Sequence, residues 1–319
     1  MEPVSTTALV LGGIAIVTKT HKAFLDKIGA AAGILYEPTR IRKEAEAKKD
    51  AAIIDAGAKI MTELIEDGSR DNEVLERAKR RLYRKLVNDQ MNIDNIASLA
   101  FGYLEDEANP SEMNDEWIDD FFDKARKCSD ENIQHLWAKV LAGEAKNAGS
   151  FSKKTLSILT EIEPEDAKIF ANLNHFKCKI SFTDPEESEK ILGGDIVLVF
   201  VEDNPEIYRE YGISFNSIQQ LESYGLLTYI QGYRFNFTFD DDSYRFVSIK
   251  YFHKEIELEL KKLGENHILP AGSFRLSLAG EQLLTLCQEK KQVEGFAEFL
   301  AEKLEQQVAS AKVISNDSI

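Results

Sequence analysis

Residues 72–104 carry a pattern that few structures besides an α-helix satisfy. Leu75, Ala78, Leu82, Leu86, Ile93, Ile96, Ala100 and Tyr103 follow one another in steps of three, four or seven. At 3.6 residues per turn those steps fall on one face. The spacing predicts a helix from about Asn72 to Leu104, roughly 50 Å long at 1.5 Å per residue. Arg77, Lys79, Arg80, Arg81, Arg84 and Lys85 form a basic cluster on the same helix. A solvated face paired with neighbouring carboxylates accounts for such a cluster, and a patch for a partner or an anionic lipid is the sharper reading.

A second helical pattern precedes it. "TRIRKEAEAKKDAAIIDAGAKIMTELIED" is rich in Ala, Glu and Lys, follows Pro38, and starts at Thr39, a suitable N-cap. Ile53, Ala56, Ile60 and Leu64 make one apolar stripe, and Gly68 in "EDGSR" marks a stop. Residues 38–106 therefore read as a long helical hairpin or coiled-coil-like arm. Residues 1–37 form an apolar amino-terminal segment. Its run "ALVLGGIAIV" spans ten residues, whereas a membrane span needs about 20. Leu9, Val10, Ile14, Ile16 and Val17, with the small pair Gly29 and Gly33, are candidate membrane or oligomer contacts.

"EDEANPSEMNDEW" reads as an acidic linker, and residues 115–177 as a small all-α module. Trp117, Ile118, Phe121, Phe122 and Ala125 share one helical face. Ser129 is the expected cap of the next helix, which carries Ile133, Leu136, Trp137, Val140 and Leu141 and ends near Gly143. Ser150 or Ser152 caps a third helix, and Pro164 opens a fourth at its first position. Trp137 reads as core, with its indole N–H expected to find an acceptor. Glu144, Lys146, Lys153 and Lys154 are the expected exposed rim of this corner and candidate interaction residues.

From Cys178 the patterning changes. "DIVLVFVED" has strand composition, and Ser214 to Gly225 is amphipathic. "YRFNFTF" and "YRFVSIKYF" alternate with period two around Asp240, Asp241 and Asp242, which suggests a hairpin with a solvated turn. "SFRLSLAGEQLLTLC" reads as a strand running into a helix. Residues 178–290 are thus expected to form a winged-helix-like α+β module. Residues 291–319 are expected to be an amphipathic terminal helix, through Val293, Phe296, Leu300, Leu304 and Val308, and a frayed tail. The fold class is mainly α with a small α+β part.

Charge narrows the function classes. Net charge is −16 over 319 residues. Residues 1–110 hold 16 basic and 18 acidic side chains, so nearly all of the excess lies beyond them. Residues 181–287 carry 9 basic and 18 acidic groups, and the candidate recognition helix 214–225 has neither Lys nor Arg. A field of that sign repels phosphate backbones, so nucleic acid is an unsuitable partner. Cys128, Cys178 and Cys287 are isolated and odd in number, and the five histidines are scattered. These spacings hold neither a zinc ligand set nor a disulfide framework. Walker, GxGxxG, GxSxG and HExxH patterns are absent from the sequence. No catalytic residue, metal ligand or cofactor is expected.

The central stretch resembles a known family. "CSDENIQHLWAKVLAGEAKNAGSFSKKTLSILTEIEPEDAKIF" is similar to an uncharacterised bacterial family, the domain of unknown function numbered 2806. The matching positions are Ser129, Asp130, Glu131, Leu136, Trp137, Ala138, Leu141, Ala142, Gly143, Glu144, Gly149, Ser150, Phe151, Ser152, Thr155 and Leu156. "GILYEPTRIRKEAEA" resembles that family's upstream segment, and "ISFNSIQQLESYGLL" and "LSLAGEQLL" fit it more loosely. Ala148 stands where the family usually has Pro. The resemblance implies a bacterial, intracellular protein and supplies no catalytic residues.

The expected function is accordingly a non-enzymatic interaction or scaffold protein that self-assembles through its helical arm, a role that suits bacterial stress or phage defence. The expected partners are a homo-oligomer or another protein, in the cytoplasm. Peripheral membrane association through residues 1–36 is the alternative, and a regulator or enzyme with unrecognised chemistry is a further one.

Overall fold

The computed structural model describes residues 18–33, 72–182, 194–203, 206–237, 246–263, 266–287, 290–306 and 308–315. The chain divides into two compact units, Met1–Thr160 and Glu161–Ile319. Among the described residues it is mixed α and β, with one five-stranded and one three-stranded antiparallel sheet. That is more sheet than the sequence pattern predicts.

The described part of the first unit is helical. α1 (Lys19–Ala32) starts at Thr18, whose hydroxyl accepts the N–H of His21, and ends at Gly33 in the left-handed region. It buries Phe24, Leu25, Ile28 and Ala32. α2 (Asn72–Tyr103) is the long helix that the periodicity predicts. α3 (Asp115–Ala125) is capped by Asn114, and α4 (Glu131–Lys146) by Asp130. Asp130, one residue past the expected Ser129, accepts from the N–H groups of Asn132 and Ile133, both at 3.0 Å. A carboxylate bonds two orphan donors and also favours the positive end of the helix, which a hydroxyl does not. α4 continues past Gly143 to Lys146. α5 (Lys153–Glu161) is capped by the Ser152 hydroxyl, which accepts from Thr155 N–H.

The acidic stretch before α3 is packed against the unit. Ala108, Pro110 and Met113 are buried, Asn109 N–H donates to the Ala145 carbonyl, and Thr20 donates its hydroxyl to the Asp106 carbonyl. The core gathers Phe24, Ile28, Ile96, Ala100, Ile118, Phe121, Trp137 and Leu141, each at or near zero exposure. Burial of each large apolar side chain stabilises by about 1.5–3 kcal/mol.

In the second unit α6 (Pro164–Asn172) has proline in its first turn as expected. β1 (Lys177–Phe182) and β2 (Asp195–Val197) are followed by α7 (Glu206–Arg209) and α8 (Phe215–Ser223). Next come β3 (Leu227–Phe237), β4 (Phe246–Tyr251), β5 (Lys254–Glu259), β6 (Lys261–Leu263) and β7 (Asn266–Leu276). α9 (Leu278–Leu284), α10 (Phe296–Glu305) and β8 (Ser310–Ser315) complete the unit. The larger sheet runs β2-β1-β4-β5-β8 and the smaller β3-β7-β6.

Two expectations fail here. β3 and β4 do not form a hairpin. β4 turns back into β5 at Phe252 and His253, while β3 pairs with β7. Alternation alone cannot select a partner, and "YFHKEIELEL" supplies a second strand only two residues further on. The tail also is not simply frayed, because Ser310–Ser315 adds an edge strand against β5, with Val313 opposite Ile256. Asp240, Asp241 and Asp242 lie outside the described residues. Phe176, Tyr208, Tyr251 and Phe296 form an edge-to-face aromatic core in this unit.

Candidate functional site

α2 has two halves of different character. Its carboxyl-terminal half is held in the first unit, with Ile93, Ile96, Ala97, Ala100 and Phe101 buried. Asp89 marks the entry, where its carboxylate meets Arg126 at 3.0 Å. Gln90 donates to the Ala32 carbonyl at 3.0 Å, and Asn92 donates to the Arg126 carbonyl at 2.8 Å. Before Asp89 the side chains described are exposed, Leu82 at 58%, Leu86 at 57% and Tyr83 at 74%. At 100° per residue, Ala78, Leu82 and Leu86 continue the line of Ile93, Ile96 and Ala100. The stripe is therefore continuous, and burial stops partway along it.

The basic cluster lies mostly on the other side of that exposed half. The same winding puts Arg77, Arg80 and Arg84 opposite the stripe, Arg81 to its side, and Lys79 and Lys85 on its two flanks. All six are exposed. The exposed half is thus an amphipathic helix with a hydrocarbon face and a guanidinium-rich face. It can bury the first against another helix while solvating the second.

The "LWAKVLAGE…GSFS" corner holds its residues in a different way. Glu144 is 2% exposed and not part of a surface rim. Its carboxylate accepts the N–H groups of Gly149 at 2.6 Å and Phe151 at 3.0 Å. Trp117 donates its indole N–H to the Phe151 carbonyl at 2.8 Å. Gly149 has φ +86, a left-handed turn that suits glycine. The loop is thereby fastened from both sides. Trp137 is fully buried as expected, but its indole N–H has no hydrogen-bond acceptor among the described residues. Phe121 stacks on Trp117 and meets Trp137 edge to face, so the ring is held by its aromatic contact.

Lys146, Lys153 and Lys154 are exposed. Lys146 pairs with Glu105 at 2.6 Å, and Lys153 pairs with Glu116. Hydrogen bonds to those carboxylates hold both ammonium groups above their ordinary pKa. Gly29 is buried on α1, and a Cβ on Gly33 would meet the Gln90 side chain at 3.3 Å. Gly33 itself is exposed. Leu9, Val10, Ile14, Ile16 and Val17 lie outside the described residues, as does the helical pattern at 39–67. Among the described residues no helix is long and apolar enough to cross a membrane, and no group of three or more His, Cys, Asp or Glu is placed to hold a metal ion.

A family model described as protein of unknown function (DUF2806) matches residues 76–301. The chain belongs to this family. The match takes in the exposed basic cluster from Arg77, the fastened corner and most of the second unit. The upstream segment at 33–47 lies outside it. No curated protein and no solved structure matches the chain.

For this DUF2806 member, sequence reasoning found the long helix, its stripe and its basic cluster. It missed that Glu144 is internal, because a carboxylate after a helical glycine looks like any solvated glutamate. The available signal was the Gly-Ser-Phe-Ser turn that follows, whose backbone N–H groups need an acceptor.

Proposed function

We propose that the chain is a non-enzymatic interaction or scaffold protein that self-assembles through the exposed half of α2. One observation carries the reading: the apolar stripe of the buried half runs on into water through Ala78, Leu82 and Leu86. Seating Leu82 and Leu86 against a second copy recovers about 1.5–3 kcal/mol for each side chain fully buried. The guanidinium groups opposite the stripe stay solvated in such a pairing, as in a coiled-coil-like arm. In the second unit, α8 beside α6 and β3, followed by the β3–β7 pair, supports a winged-helix-like reading. α8 carries neither Lys nor Arg, so this module suits contact with protein better than with DNA.

Size-exclusion chromatography with light scattering tests the assembly on the full chain. The expected result is an oligomer for the natural sequence and a folded monomer for the Leu82→Glu, Leu86→Glu double variant. A monomeric natural chain, or an oligomer that the double variant leaves intact, overturns the proposal.

A further inference from the structure

The second unit contains a cavity of about 170 Å³ whose lining includes Phe200, Glu202, Gly232, Tyr233, Gly272 and Lys303. Its walls follow from one close backbone approach. Gly272 has φ +96, and a Cβ there would lie 2.6 Å from the Val199 carbonyl oxygen. Only glycine lets β7 run this close to the segment after β2. The next residue, Ser273, donates its N–H to the Val199 carbonyl at 2.8 Å. The β3–β7 register slips at this place. Tyr229 stands opposite Phe274 and Tyr233 opposite Gly272, so Ile230, Gln231 and Gly232 together face the single residue Ser273. This bulge opens the strand pair where Gln231 and Gly232 line the cavity.

The same serine organises the charge. Ser273 is fully buried, and its hydroxyl accepts the Val201 N–H at 2.9 Å and donates to one carboxylate oxygen of Glu202. The other oxygen accepts the Tyr229 hydroxyl at 3.2 Å. Glu202 itself is exposed. An exposed carboxylate is solvated without such help, so two protein donors that fix both its oxygens serve orientation. Each oxygen keeps a lone pair for a further donor. Lys303, from α10, supplies the cationic group of the lining, 5.9 Å from the centroid of the Phe200 ring.

We infer that this cavity binds a small zwitterion, a free α-amino acid, with its ammonium on Glu202 and its carboxylate on Lys303. A simple cation meets repulsion from Lys303 and a simple anion meets repulsion from Glu202, so one of each charge is the complementary choice. The three N–H donors of a lysine ammonium allow it to take a ligand carboxylate alongside another partner. Phe200 and Tyr233 supply the aromatic part of the lining beside the body of the ligand.

The test is an amide-resolved NMR titration of the full-length, deuterated chain with each of the twenty α-amino acids at 10 mM. The expected result is saturable shifts at Gly232 and Gly272 for one or more of them. The amine and the acid that each lack one charged group of that amino acid should bind at least tenfold more weakly. Glu202→Gln and Lys303→Met should each weaken binding at least tenfold. The glutamine keeps an oxygen for Ser273 and leaves the rest of the spectrum in place. Absence of saturable shifts from all twenty, or undiminished binding by Glu202→Gln, overturns the inference.

Discussion

Glu144 closes a seven-residue step by accepting the N–H of Phe151, while Trp117 reaches the carbonyl of that same residue from 34 positions away. One peptide segment is thus held at its donor by a side chain of the family motif's corner and at its acceptor by a side chain of α3. Glu144→Ala leaves the buried Phe151 N–H and the part-buried Gly149 N–H without their acceptor. The expected loss is about 2–4 kcal/mol, from about 1–3 for each stranded donor with partial relaxation. Glu144→Gln keeps one accepting oxygen and should recover part of that loss. Urea unfolding of the three proteins, followed by tryptophan fluorescence, checks the order.

The two tryptophans should respond differently to removal of the indole N–H. Trp117 has an acceptor and Trp137 has none among the described residues. Trp117→Phe therefore strands the Phe151 carbonyl, whereas Trp137→Phe strands nothing and should cost about 1 kcal/mol less. Trp137→Ala empties the centre of the first unit and is expected to cost about 3–5 kcal/mol. Unfolding free energies from denaturant titration give both comparisons.

Along α2 the same substitution is expected to matter in one half only. Ile96 is fully buried, so Ile96→Ala should cost about 2–5 kcal/mol. Leu86 is 57% exposed, so Leu86→Ala should change monomer stability by no more than about 0.5 kcal/mol. Unfolding at protein concentrations below assembly makes the comparison. A large loss for Leu86→Ala under those conditions would show that the stripe is covered within one chain.

The link between α9 and α10 should weaken in mild acid. Lys291 donates its backbone N–H to Nδ1 of His175 at 3.0 Å, and Val293 donates to the Tyr251 hydroxyl, which itself donates to the His175 carbonyl. Desolvation first, and the Lys291 charge second, hold the imidazole below its ordinary pKa. Its folded value therefore lies below its unfolded one, and the neutral ring is the stabilising form. That contribution is complete above about pH 6.5 and is lost as pH falls through the lowered folded value. Melting temperature should fall more between pH 7 and 5 for the natural chain than for His175→Gln, with the reference pH values set by the ordinary histidine range. Equal slopes for the two proteins would remove His175 as the cause.

The sequence by itself determined the local elements of this protein. Asn72 to Tyr103, a serine cap at Ser150 or Ser152, the proline that opens α6 and the amphipathic α10 are all written in residues within one or two turns of each other. Helical hydrogen bonds and caps are short-range, so periodicity and end signals suffice to place them. Family membership was legible for a related reason, since the corner from Ser129 to Leu156 is one contiguous stretch of unlike residues. Other features were decided only when the chain closed on itself. The alternation at 244–252 fits several partners, and the tertiary fold chose β1 and β5 over β3. Glu144 became internal because a loop five to seven residues later needed its oxygens. The stripe of α2 was evident throughout its length, yet only the packing of α1, α3 and α4 fixed where its burial ends. Non-local pairing and desolvation depend on what the rest of the chain brings near, and a pattern of residue types does not contain that information.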